Sequence, residues 1–99
     1  MTRLSRLSRS ISGKVALVTK RRAAWGARPR LFADEGARVA VVDVSASGVD
    51  AVVHEIGSAG GQARGFAVDL GKRGSIPRLV ADVVAHFGGL DIQIWTVAR

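Results

Sequence analysis

Apolar residues fall in short blocks separated by polar, glycine-marked segments, and the blocks alternate between two periods. Val15-Ala16-Leu17-Val18, between Lys14 and Thr19, is a continuous run of buried-strand type, and Val39 to Val42 is a second that closes on Asp43. Between them, Leu31-Phe32-Ala33-Asp34-Glu35-Gly36 reads as the end of a helix stopped by glycine. Val49, Val52, Val53 and Ile56 then recur at i, i+3, i+4 and i+7, which predicts a helix capped from Ser45 to Ser47 with Gly57 near its end. Gly60-Gly61 turns the chain into a third strand, about Ala63 to Val68, that ends at Asp69. The strongest periodicity is that of Ile76, Leu79, Val80, Val83, Val84 and Phe87. It predicts a helix capped by Ser75, with Pro77 in its first turn and Gly88-Gly89 as its stop. A fourth strand is expected from about Leu90 through Ile94.

Strands that alternate with helices imply right-handed crossovers and a parallel sheet, so the fold class is α/β. The first strand, the loop after it, the first helix and the second strand with its terminal acid together span about 30 residues, the size of a dinucleotide-binding βαβ unit.

The segments GKVALVT (Gly13 to Thr19), LFADEGARVAVVDV (Leu31 to Val44), FAVDL (Phe66 to Leu70) and FGGLDI (Phe87 to Ile92) together resemble the amino-terminal half of a short-chain dehydrogenase/reductase. The resemblance covers residues 12–92, broken once, between Lys20 and Arg30. It implies a Rossmann-like, partial doubly wound parallel sheet of about four strands in the order 3-2-1-4 with three helices, truncated relative to the family's full domain. Residues 1–12 then read as a basic extension and 13–99 as the truncated NAD(P)-binding domain. The activity implied is that of an NAD-dependent oxidoreductase acting on an alcohol or carbonyl substrate in the cytoplasm.

Charge sharpens this reading at the front of the chain. Residues 1–30 hold nine Lys or Arg and no acid, whereas residues 31–99 hold six Lys or Arg against eight acids, which together give the net charge of +7. MTRLSRLSRSIS repeats Arg-Leu-Ser, a composition shared by disordered tails, targeting presequences and nucleic-acid arms. Half of the excess charge lies in the segment that breaks the resemblance, which argues against nucleic acid as the partner. The alternative function is a non-catalytic binding module whose basic front contacts nucleic acid or another anionic partner. The chain has no cysteine, so disulfide and thiolate chemistry are excluded. No apolar run reaches the ~18 residues of a membrane span.

The resemblance also implies the site. The family follows Thr19 with Gly-x-x-x-Gly-x-Gly, which turns tightly and lets the backbone approach a pyrophosphate. Here Lys20, Ala24 and Gly26 stand at those positions, so that only Gly26 survives; counted back from Gly36, the segment is one residue short and Trp25 takes the third position. Pro29 puts the start of the first helix at Pro29 or later, too late to aim its positive end at a pyrophosphate. Lys20, Arg21, Arg22, Arg28 and Arg30 offer charge in place of the amide cradle.

Asp43, at the end of the second strand, is expected to accept hydrogen bonds from the adenosine ribose and to repel a 2′-phosphate, favouring NAD over NADP. Asp69 after the third strand matches the family's acid near the adenine. With Thr19, Gly26, Val44 and Leu70 these two acids make up the candidate cofactor-binding set. No catalytic residue is expected in this chain: the family uses a Ser and a Tyr-x-x-x-Lys, and the sequence contains no tyrosine. The Asn-Asn-Ala-Gly that the family carries after the fourth strand is also absent, with Trp95 and Thr96 at the two asparagine positions. His54 and His86 lie on different helices without a second ligand at metal spacing, so no metal site is expected.

Both tryptophans fall in the segments that depart from the family pattern. The hypothesis these two departures suggest is a compensated pair of frame changes over about Lys20 to Pro29, with another change or an early stop after Ile92. Reading the adjacent nucleotide frames should recover the glycine motif. The fourth strand is expected to form an apolar edge open to self-association or to pairing with a full-length relative.

Overall fold

The computed structural model describes residues 11–19 and 28–94. Four strands, β1 (Val15–Thr19), β2 (Arg38–Asp43), β3 (Gln62–Ala67) and β4 (Ile92–Ile94), alternate with three helices, α1 (Arg28–Asp34), α2 (Ala46–Ser58) and α3 (Ser75–Phe87). The sheet is fully parallel in the order β3-β2-β1-β4. The fold class, the strand order and the helix number all follow the sequence reading.

The period of two along each strand explains the layering. Val15 and Leu17 of β1 and Ala40 and Val42 of β2 point to one face, where Leu79 and Val83 of α3 close over them. Val18 of β1 and Val39 and Val41 of β2 point to the other, against Ala33 of α1 and Val49 and Ile56 of α2. All five residues of β1 are buried, as the uninterrupted apolar run requires of a strand covered on both faces. Ile11, assigned above to the extension, is buried with Ala16 and Ala37, so the packed body reaches back to that residue.

Boundaries differ from the sequence reading where a backbone group decided them. α1 begins at Arg28, one residue earlier than expected, and carries Pro29 in its first turn, where a missing N–H costs little. Its end is a Schellman turn at Gly36, φ +92°: the Ala37 N–H reaches Phe32 O at 3.0 Å and the Gly36 N–H reaches Ala33 O at 3.0 Å. α2 runs one residue past Gly57.

The N-terminus of α3 corrects the cap assigned to Ser75. Gly74, in the left-handed region at φ +79°, takes the cap position, and Ser75 becomes the first helical residue. Ser75 Oγ is consequently buried with no hydrogen-bond partner.

β4 is shorter than the Leu90–Ile94 expected. Leu90 packs half-buried on the α3-side core, and Asp91 acts as a clamp: its carboxylate accepts the Val15 N–H at 2.9 Å while its own N–H donates to Val15 O at 2.9 Å. Arg38 ties the same end together by donating to Phe87 O at 3.0 Å and Gly13 O at 3.2 Å. Among the described residues β4 pairs only with β1. No helix among the described residues is long and apolar enough to cross a membrane.

Candidate functional site

In a parallel sheet all carboxyl ends lie on one edge. Here that edge carries Thr19, Asp43, Ala67 and Ile94 in neighbouring positions. The chain leaves β1 to form β2 and β3 on one side and returns to form β4 on the other, so the topological switch point, where ligands of such sheets bind, lies between β1 and β4.

Thr19 stands at that point. It is buried, and its Oγ1 donates to Ile94 O at 3.3 Å, bridging the ends of the two strands that bound the crevice. The hydroxyl thus ties the end of β1 to the end of β4.

Asp43 is half-buried one strand away. Its Oδ2 accepts the Ser45 N–H at 3.2 Å, an Asx-type turn that holds the carboxylate at the strand end. Its carbonyl accepts the Val68 N–H at 2.8 Å, continuing the ladder into the loop after β3. Ser45 is the cap of α2, its Oγ accepting the Gly48 N–H at 3.2 Å, so the carboxylate sits beside the positive end of a 13-residue helix. Sequence reading named Ser45 only as a cap; that its N–H also orients Asp43 could be anticipated from the two-residue spacing. Val44 is 66% exposed beside it.

Asp69 is exposed in the next loop, with Oδ1 accepting the Gly71 N–H at 2.9 Å. Leu70 is half-buried against the core on the α3 side. Gly26 and the rest of the loop after β1 lie outside the described residues. The structure thus brings Thr19, Asp43 with Val44, and Asp69 into one row along the carboxyl edge and packs Leu70 into the core next to it. Chemically the row offers two acceptor carboxylates held by backbone donors, which suits hydroxyl-rich or amine-bearing groups and disfavours phosphate. Among the described residues there is no cluster of three or more His, Cys, Asp or Glu side chains able to hold a metal ion.

The sequence pattern of the short chain dehydrogenase family matches residues 14–98, running past Ile92 into the segment that lacks the two asparagines. The D-threitol dehydrogenase of Mycolicibacterium smegmatis is 39% identical over 85 residues, which cover 85% of this chain and 33% of that enzyme. The sorbitol dehydrogenase of Cereibacter sphaeroides is 35% identical over 85 residues, covering 85% of this chain and 32% of that one. Among solved structures, a metagenomic short-chain oxidoreductase in complex with NADP superimposes with a TM-score of 0.72 at 33% identity, covering 85% of this chain and 38% of that protein. The chain spans about a third of the length of the curated relatives it matches. With its four parallel strands in the order β3-β2-β1-β4 and this match over most of its length, the chain belongs to the short-chain dehydrogenase family.

Proposed function

We propose that this chain supplies the adenosine-binding front of an NAD-dependent oxidoreductase that interconverts an alcohol and a carbonyl compound. The observation that carries the reading is Asp43: a carboxylate at the end of β2, oriented by the Ser45 N–H, on the edge that flanks the switch point. A ribose 2′-hydroxyl donates to such a carboxylate, whereas a 2′-phosphate is repelled by it, so NAD is favoured over NADP. The NADP named for the metagenomic relative belongs to that protein.

Asp43 and Asp69 would hold the adenosine end, with Thr19 tying together the ends of β1 and β4 that bound the crevice. NAD, when bound, supplies a hydride acceptor. Proton transfer to or from the substrate needs a titrating group, which the family takes from a tyrosine. The 99 residues contain none, so we assign no turnover to this chain alone. D-Threitol and sorbitol, named for two relatives, are both alcohols and support that substrate class for the whole protein. We extend the reading to a cytoplasmic setting.

Calorimetric titration of the chain with NAD and with NADP tests the proposal. Saturable NAD binding is expected, weakened about tenfold in Asp43→Asn, a factor equal to ~1.4 kcal/mol. Tighter binding of NADP than of NAD by the unaltered chain would remove the NAD assignment, and no saturable binding of either would remove the cofactor reading.

A further inference from the structure

A cleft of ≈ 410 Å³ between the end of β3 and the first turn of α3 shares Asp69 with the carboxyl edge and otherwise uses residues that the cofactor reading does not employ: Lys72, Arg73, Ser75, Arg78 and Asp82. Of the described cations elsewhere, Arg30 and Arg38 are engaged, Arg64 lies over the Phe66 ring, and Lys14 makes no ion pair or side-chain hydrogen bond among the described residues. Arg30 pairs with Glu55 at 2.8 Å and Asp34 at 3.5 Å, and Arg38 donates to two carbonyls. Lys72, Arg73 and Arg78 make no ion pair or side-chain hydrogen bond among the described residues.

Two further features point the same way. The Ser75 hydroxyl oxygen is buried without a partner, and Ser75 lines the cleft; a buried hydroxyl is normally satisfied, so its donor calls for an acceptor. α3 is 13 residues long and starts from a glycine cap that provides no side-chain acceptor; the Ser75 N–H is taken by Lys72 O at 3.2 Å and Pro77 has no N–H, which leaves the Ile76 N–H at the positive end of the helix without a cap side chain. The acids of the wall do not supply that oxygen: Asp69 is engaged with the Gly71 N–H, and Ser75 Oγ has no bond to Asp82.

We propose that this cleft binds a phosphate group. A phosphate dianion brings acceptor oxygens suited to these cations and to the Ser75 hydroxyl, and places negative charge at the helix end. A monocarboxylate has fewer oxygens and less charge for the same donors. Asp82 opposes the charge of the ligand, so it lowers the affinity and discriminates against more highly charged anions. The site is separate from the ribose position at Asp43, which repels phosphate.

The experiment is a residue-resolved NMR titration of the full chain with inorganic phosphate, with chloride adjusted to hold ionic strength constant. Saturable amide shifts centred on Gly71 to Arg78 are expected. Arg78→Ala should weaken binding about tenfold, whereas Asp82→Asn should tighten it, a change of opposite sign that a merely structural role would not produce. Spectral dispersion reports whether each variant is folded, and Lys72→Ala provides a second loss variant at an exposed position. Glycerol 1-phosphate run in parallel separates the sources: tighter binding of the ester identifies an esterified phosphate as the ligand, and equal binding identifies the free ion. Shifts that rise linearly without saturating, shifts confined to the basic residues 1–30, or an Asp82→Asn variant that binds no better would each overturn the proposal.

Discussion

At the scale of single residues, what matters is how closely two backbones approach and which carboxylate a backbone donor holds. Gly65 of β3 faces Val49 of α2, and a β-carbon built on Gly65 would collide with Val49 Cγ1. β3 is bonded to β2 along its whole length, so it cannot retreat. Gly65→Ala is therefore expected to destabilise the fold by ~1–3 kcal/mol, the ordinary cost of overpacking. The thermal midpoint should fall by several degrees for each of those kcal/mol, as is typical for a domain of this size; an unchanged midpoint in circular dichroism would contradict the packing described. Residues of this kind are poorly legible in sequence, because nothing in QARGFA distinguishes a glycine demanded by a neighbouring helix from a merely tolerated one. Asp43 was legible, since an acid that closes a buried apolar run marks a strand end, whereas Asp69 lies two residues past the end of β3, a strand that is exposed or half-buried along its length. The orphaned Ser75 hydroxyl was not: Ser before an apolar stripe reads as a cap, and only the positive φ of Gly74 moves the cap back by one residue.

At the scale of elements, caps and stops decide the boundaries. Ser45 has two roles that a substitution can separate. Its hydroxyl accepts the Gly48 N–H and caps α2, while its backbone N–H holds the Asp43 carboxylate. Ser45→Ala removes the first and keeps the second. It should cost about 1 kcal/mol of stability and leave NAD affinity unchanged; a loss of affinity as large as that of Asp43→Asn would show that the carboxylate depends on the cap. Elements were legible where periodicity was strong, as in α3, whose Leu79 and Val83 are both buried on the sheet. The loop after β1 was legible only as a departure from the glycine pattern, and its eleven-residue run KRRAAWGARPR has no period from which a conformation can be argued. The exposed pairs of Arg30 with Asp34 and Glu55 raise the guanidinium above its ordinary value, chiefly through the Glu55 hydrogen bond, yet at such exposure they contribute little to holding α1 against α2.

At the scale of the whole molecule, the order β3-β2-β1-β4 divides the sheet into a sequence-local part and a distant one. β1, β2 and β3 follow one another through single helical crossovers, whereas β4 returns to β1 from the far end. The bond from the Val15 N–H to the Asp91 carboxylate joins residues 76 positions apart. Closing a loop of that length costs on the order of 4 kcal/mol in chain entropy, and β4 answers it with three paired positions and the Asp91 clamp. In time, then, β4 should be the last strand to dock and the first to leave. Hydrogen exchange should show the amides of Ile92 to Ile94 opening through a partial unfolding well below the energy that releases Val39 to Val42, and Asp91→Ala should widen that gap; equal protection of the two strands would mean that the sheet opens as a unit. Because Thr19 is bonded to β4 through Ile94 O, each departure of β4 also removes one wall of the crevice, so the fraction of molecules competent to hold a ligand there is set by the opening equilibrium of β4.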